Sequence, residues 1–258
     1  MNTRVATCML ACLLTMGCTG GETQPRLRAA PRGREPTREE NVHAESAQAS
    51  PWGGLAVIER GDAHADAAFV LLHGYGAPGA DLVSLADEVI ARCGRPLRVI
   101  VPAAPIAMQG GGRAWYEIDS PDAEAQARRA RESIEGVVST LAERGVPSER
   151  VIVGGFSQGG ILSIETAVDG HARLAGIAVL SGRSLPHEER AYAVLRDLPI
   201  FQAHGTSDAR IAFAQGEAFR ETALRSGAQL EPLVFEGGHT IPPEVVVGLA
   251  SWIGRTLP

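Results

Sequence analysis

Lysine is absent from this sequence: all 24 basic residues are arginine. They form no basic stripe, and 30 acidic residues leave the chain at a net charge of -6, so the electrostatic footprint of a nucleic-acid binder is missing. Aromatic residues are scarce, at 5% of the chain. The apolar stretch near the start, Val5 to Met16, is far shorter than the roughly 20 residues a membrane-spanning helix requires. Cysteine is sparse too. Three of the four, Cys8, Cys12 and Cys18, fall in the first 18 residues. Cys93 stands alone in the remainder, which excludes an intrachain disulfide there. No histidine or acidic pattern surrounds Cys93, so it reads as a packed thiol rather than a nucleophile.

What is present begins with a leader. "MNTRVATCMLACLLTMGC" places one positive charge, Arg4, before a short apolar region, the pattern of a signal peptide. Its end resembles a bacterial lipoprotein signal, with Gly17 before Cys18. Thr15 stands where such signals usually carry leucine, and Leu14 lies one position earlier. This reading makes residues 1–17 a removed signal peptide and Cys18 a lipidation site. The protein would then be exported and anchored to a bacterial cell membrane, facing the periplasm or the exterior. An ordinary signal peptide cut elsewhere is the alternative. Residues 18–50 are rich in Pro, Gly, Arg and Glu and poor in apolar side chains, so they read as a disordered tether. Five Arg and five Glu cancel within the tether, which leaves 18 basic and 25 acidic residues, a net -7, from position 51 onward.

Residues 51–258 alternate between two kinds of segment. "AAFVLL", "LRVIVP", "ERVIVGG", "LAGIAVLSG", "LPIFQAHG" and "QLEPLVF" are short apolar runs closed by glycine or proline. "DLVSLADEVIAR", "DAEAQARRARESIEGVVSTLAERG", "GGILSIETAVDG", "FAQGEAFRETALRSG" and "PEVVVGLASWIGRTL" carry helical spacing. This alternation implies one α/β domain with a mostly parallel central sheet and helices on both faces. No internal repeat or second domain is visible.

The most informative stretch is "VIVGGFSQGGILSIETAV". A strand must end and a helix must begin at Gly155-Phe156-Ser157-Gln158-Gly159, a G-x-S-x-G pattern. In that context the pattern reads as a nucleophile elbow. The serine is lifted above the carboxyl edge of the sheet, and its neighbours must be glycine to avoid collision with strand and helix. A serine hydroxyl needs a base, and the base needs an orienting acid. In this arrangement the acid and then the histidine follow the serine in chain order. His239, in "FEGGHTIPP" between the last strand and the last helix, is the candidate base. Asp208, in "HGTSDARI" after the preceding strand, is the candidate acid. Glu236 lies too close to His239 in sequence for the usual arrangement. His171 and His187 read as solvent-facing, and His204 as packed beneath the Asp208 loop. The backbone N–H of Gln158, at the start of a helix, and that of Tyr75, between Gly74 and Gly76, are the candidate oxyanion donors. His73 reads as a loop-fixing residue. "HGYGAPG" lacks the spacing and the lysine of a phosphate-binding loop.

"LLHGYGAPGADL", "RAWYEID", "GGFSQGG", "HGTSD" and "GGH" occur in the order found in the bacterial phospholipase/carboxylesterase family, which includes acyl-protein thioesterase-like serine hydrolases. The chain resembles that family over residues 66–258. The resemblance implies an α/β-hydrolase fold without a large lid. It also implies Ser157, Asp208 and His239 as triad and Tyr75 and Gln158 as oxyanion donors. Trp115 becomes a candidate wall of the acyl pocket, with core packing as the alternative. The leader, the tether and Glu117, where the family commonly has aspartate, depart from the pattern. No cofactor or metal is implied. The expected substrate is a small acyl ester or thioester, of about two to eight acyl carbons by analogy with lidless members of the fold, bound in a shallow, open site. An exported polysaccharide or cell-wall deacetylase and an inert surface-binding module are the competing readings.

Overall fold

The computed structural model describes residues 52–258. The leader, Cys18 and the tether lie outside the described residues. The apolar runs become strands β1 (Val57–Gly61), β2 (Ala68–Leu72), β3 (Arg98–Pro102), β4 (Ile106–Ala107), β5 (Arg113–Ala114), β6 (Val151–Phe156), β7 (Gly176–Leu180), β8 (Pro199–Gly205) and β9 (Gln229–Phe235). The amphipathic segments become helices α1 (Val83–Arg92), α2 (Ala123–Glu143), α3 (Gln158–Val168), α4 (Phe213–Arg225) and α5 (Pro243–Thr256). Seven strands form one sheet in the order β1-β3-β2-β6-β7-β8-β9. Only β1 runs antiparallel, against β3. The remaining pairings are parallel.

Alternation along the strands sorts the core into two layers. Val70, Leu72, Val153, Ile177 and Val179 face the side packed by Ile134 and Val138 of α2 and Leu162 of α3. Phe69, Leu71, Ile152 and Leu180 face the side packed by Val89 of α1 and Leu249 and Ile253 of α5. Each such side chain, fully buried, stabilises the fold by about 1.5–3 kcal/mol. Both faces are therefore covered, as the near-continuous apolar strands require.

Two features were not legible in the sequence. β1 carries Glu59 and Arg60 among its five residues and is only half buried, so its hydrophobic signal is weak. It is held at the edge by pairing with β3 and by an ion pair of Glu59 with the Arg98 guanidinium at 2.6 Å. The β4–β5 hairpin has two residues per strand, too few for any periodicity to register.

Because β2, β6, β7, β8 and β9 are mutually parallel or share a parallel neighbour, their carboxyl ends open on one edge of the sheet. The loops that carry Tyr75, Ser157, Arg183, Asp208 and His239 leave from those ends. No helix among the described residues is long and apolar enough to cross a membrane.

Candidate active site

Ser157 sits between the end of β6 and the start of α3 with φ 56° and ψ -115°. A non-glycine residue in that region is strained and persists only where its surroundings over-determine it. Here the determinants are visible. A Cβ on Gly155 would lie 2.4 Å from the Leu72 carbonyl oxygen and one on Gly159 2.2 Å from it, so the elbow can pack against β2 only with glycine at both positions. The Ser157 N–H donates to the Leu180 carbonyl at 2.9 Å, which ties the elbow to the end of β7.

His239 and Asp208 converge on this serine. His239 Nε2 lies 2.8 Å from Ser157 Oγ, and His239 Nδ1 lies 2.7 Å from Asp208 Oδ2. The His239 ring also rests on Phe156, with centroids 4.6 Å apart. The other carboxylate oxygen, Asp208 Oδ1, accepts the N–H groups of Arg210 at 2.8 Å and Ile211 at 2.9 Å. Burial of Asp208 would by itself raise its pKa. The hydrogen bond from His239 and the two backbone N–H groups outweigh that and hold the carboxyl below its ordinary value. A carboxylate that stays charged against a neutral imidazole keeps the proton on Nδ1 and leaves Nε2 free to accept one from the serine. His204 packs beneath the Asp208 loop, its Nε2–H donating to the Ile211 carbonyl at 2.9 Å.

The loop after β2 closes the other side. A Cβ on Gly74 would lie 3.3 Å from Ser157 Cβ, so this loop abuts the elbow. Gly76, at φ 80°, turns the chain back after Tyr75. The Tyr75 N–H has no acceptor among the described residues, and the Gln158 N–H, in the first turn of α3, has no intrahelical one. His73 is fully buried and fixes the loop: its Nδ1 bonds the Gly74 carbonyl at 2.8 Å and its Nε2 accepts the Ala104 N–H at 3.0 Å. Burial pushes its pKa down, in keeping with a neutral ring in which one nitrogen donates and the other accepts.

A cavity of about 840 Å³ opens at Ser157 and His239. It is elongated along one helix. Ile161, Glu165 and Asp169 line it below Ser157, so it runs roughly 18 Å along α3 at 1.5 Å rise per residue. The connection after β7 folds beside α3 and contributes Arg183, Leu185 and His187 as a second wall.

Two assignments change with the tertiary contacts, and one role is added. Trp115 does not line this cavity. Its ring is fully buried in the core, with Nε1–H donating to the His73 carbonyl at 2.9 Å, and its neighbours Tyr116 and Ile118 face the cavity instead. His187 is not solvent-facing: its side chain is 11% exposed, with Nε2 2.9 Å from Glu165 Oε2. Burial raises the Glu165 pKa against the lowering effect of that hydrogen bond. The side chain of Gln158 has a role that sequence reasoning missed. Its Oε1 accepts the Trp115 N–H at 2.9 Å and its Nε2 donates to the Tyr116 carbonyl at 2.7 Å. One amide thus pins the β5–α2 loop to the elbow helix. Glu117 is joined to α2 through Gln126 at 2.7 and 3.1 Å. His171, by contrast, is as exposed as expected, and Cys93 is a buried free thiol.

The model of the Phospholipase/Carboxylesterase family matches residues 54–257. The chain belongs to that family. Membership makes it a hydrolase of the esterase and thioesterase class. Among similar proteins, acyl-protein thioesterase 1 homolog 1 of Dictyostelium discoideum is 30% identical, covering 74% of this chain and 91% of its own. Acyl-protein thioesterase 1 of Neurospora crassa is 27% identical, over 74% of this chain and 87% of its own. The crystal structure of esterase PE8 shares the fold with a TM-score of 0.69 at 24% identity, covering 79% of this chain and 99% of that one.

Proposed function

We propose that this phospholipase/carboxylesterase family member cleaves carboxylic esters or thioesters of short to medium acyl chains through an acyl-enzyme intermediate on Ser157. The observation that carries the reading is the unbroken relay from Asp208 through His239 to Ser157 Oγ, at 2.7 and 2.8 Å, opening into one cavity. His239 Nε2 takes the Ser157 proton as Oγ attacks the substrate carbonyl carbon. The carbonyl oxygen becomes an oxyanion facing the N–H groups of Tyr75 and Gln158. Collapse expels the alcohol or thiol, which receives the proton from His239. Water, deprotonated by the same nitrogen, then attacks the acyl-enzyme, and carboxylate leaves with Oγ reprotonated. No cofactor enters any step.

The cavity supports the chain-length part of the reading. Its end remote from Ser157 includes Asp169, whose side chain is half exposed, and a long alkyl tail laid there would strip water from that carboxylate at a cost. We infer that chains of about two to eight carbons fit best, in line with a fold that carries no large lid. A series of esters and matched thioesters of rising chain length tests this. A kcat/KM maximum within the short-to-medium range supports the reading. A preference for long-chain triglyceride, with a rate jump above the micelle threshold, refutes it. We further propose that lipid on Cys18 holds the enzyme on a bacterial membrane, with the tether letting the domain reach nearby small acyl substrates.

A further inference from the structure

The charges lining the cavity are mostly matched. Arg131 meets Glu135 at 2.7 Å, Arg128 meets Glu124 at 3.6 Å, and His187 meets Glu165 at 2.9 Å. Two lining arginines, Arg210 and Arg183, have no such partner among the described residues; Arg210 is exposed, and the more buried of the two is Arg183. It lines the cavity, is partly buried, and has no carboxylate within ion-pair distance among the described residues. Its one hydrogen bond among the described residues runs from Nη1 to the adjacent Ser184 carbonyl at 3.1 Å, which leaves the rest of its donor fork unspent there. Its place is set by the fold. Leu180, whose carbonyl holds the Ser157 N–H, ends β7; Ser181 then turns the chain with φ 48°, and Arg183 follows two residues later. Both Arg183 and Tyr116 line the cavity; burial raises the Tyr116 pKa, and the Arg183 charge acts against that rise. Asp81, which also lines the cavity and has no ion pair among the described residues, lies in the segment after β2 near His73.

A partly desolvated guanidinium with free donors is matched by a planar or tetrahedral oxyanion. We propose that Arg183 reads an anionic group on the substrate, so that the preferred substrates are esters or thioesters bearing a carboxylate or phosphate a few bonds from the scissile carbonyl. This rests on the hydrolase reading and narrows it to a substrate class. A small anionic substrate is compatible with the acidic surface of the domain, because the contact is made by one local cation inside the cleft.

The test uses the full chain and two matched pairs of substrates. Naphthyl butyrate is compared with the naphthyl half-ester of succinate, which places a carboxylate on the acyl arm. Butyryl glycerol is compared with butyryl glycerol phosphate, which places a phosphate on the alcohol arm. The measured quantity is the ratio of kcat/KM, anionic over neutral, in which any general loss cancels. In the wild type the ratio should exceed one in at least one pair, and that pair identifies the arm. Arg183→Gln should lower the ratio by roughly 10- to 100-fold, the size of one charge-assisted contact, carried mainly by KM. Arg183→Lys should restore part of it. A ratio equal in wild type and Arg183→Gln, with the neutral esters turning over, overturns the inference and leaves the hydrolase reading standing. Absence of turnover on all four substrates overturns the hydrolase reading and the inference with it.

Discussion

Replacing Asp208 by asparagine changes one atom, and the hydrogen bonds around it dictate the outcome. Oδ1 accepts two backbone N–H groups, from Arg210 and Ile211, while Oδ2 faces His239 Nδ1. An asparagine has one acceptor oxygen and one donor NH₂. Turning the NH₂ toward the two N–H groups would leave buried donors opposed, at about 1–3 kcal/mol for each unmade bond. The oxygen therefore stays on the backbone, and the NH₂ faces His239. Nδ1 must then accept, which moves the ring proton to Nε2, 2.8 Å from Ser157 Oγ. An imidazole already protonated there cannot take the serine proton. The expected fall in kcat is on the order of 10⁴-fold, the size of the effect where the wrong tautomer results, equivalent to about 5.4 kcal/mol of barrier. KM should change little, because the side chain of Asp208 is fully buried and does not line the cavity. Steady-state kinetics on a soluble short-chain ester, with a thermal melt to verify the fold, measures both. A kcat within tenfold of wild type in Asp208→Asn, or a comparable loss in Glu236→Gln, would refute the assignment of the acid.

Ser157→Ala should abolish turnover and labelling by a fluorophosphonate probe while leaving the melt unchanged; labelling at another serine would move the nucleophile. Gln158→Leu removes the amide that holds the Trp115 N–H and the Tyr116 carbonyl, leaving two buried backbone groups unpaired at about 1–3 kcal/mol each, so the melting temperature should fall by several degrees and kcat with it. A variant with wild-type stability would show that the clamp is dispensable. Cys18→Ser should release the protein from the membrane fraction or block its processing, and a wild type already found in the soluble fraction would remove the anchor from the reading.

The order of elements and the convergence of Ser157, Asp208 and His239 were legible because each depends on a few neighbouring residues. The steric demand that makes Gly155 and Gly159 necessary is local to the elbow, and the close approach of both to the Leu72 carbonyl is the geometry that demand implies. Chain order and strand ends then brought Asp208 and His239 within one hydrogen bond of each other. The cavity wall was not legible. Trp115 and Tyr116 are adjacent in sequence, yet one is core and the other faces the cavity, because the β4–β5 hairpin and the Gln158 amide orient that loop. His187 looked like a polar-loop histidine until the connection after β7 folded against α3 and paired it with Glu165, 22 residues earlier in the chain. Strand ends and turns are encoded by short-range sterics and periodicity. Which side chains face one another across a cleft depends on contacts between segments far apart in the chain, and only the tertiary structure decides those.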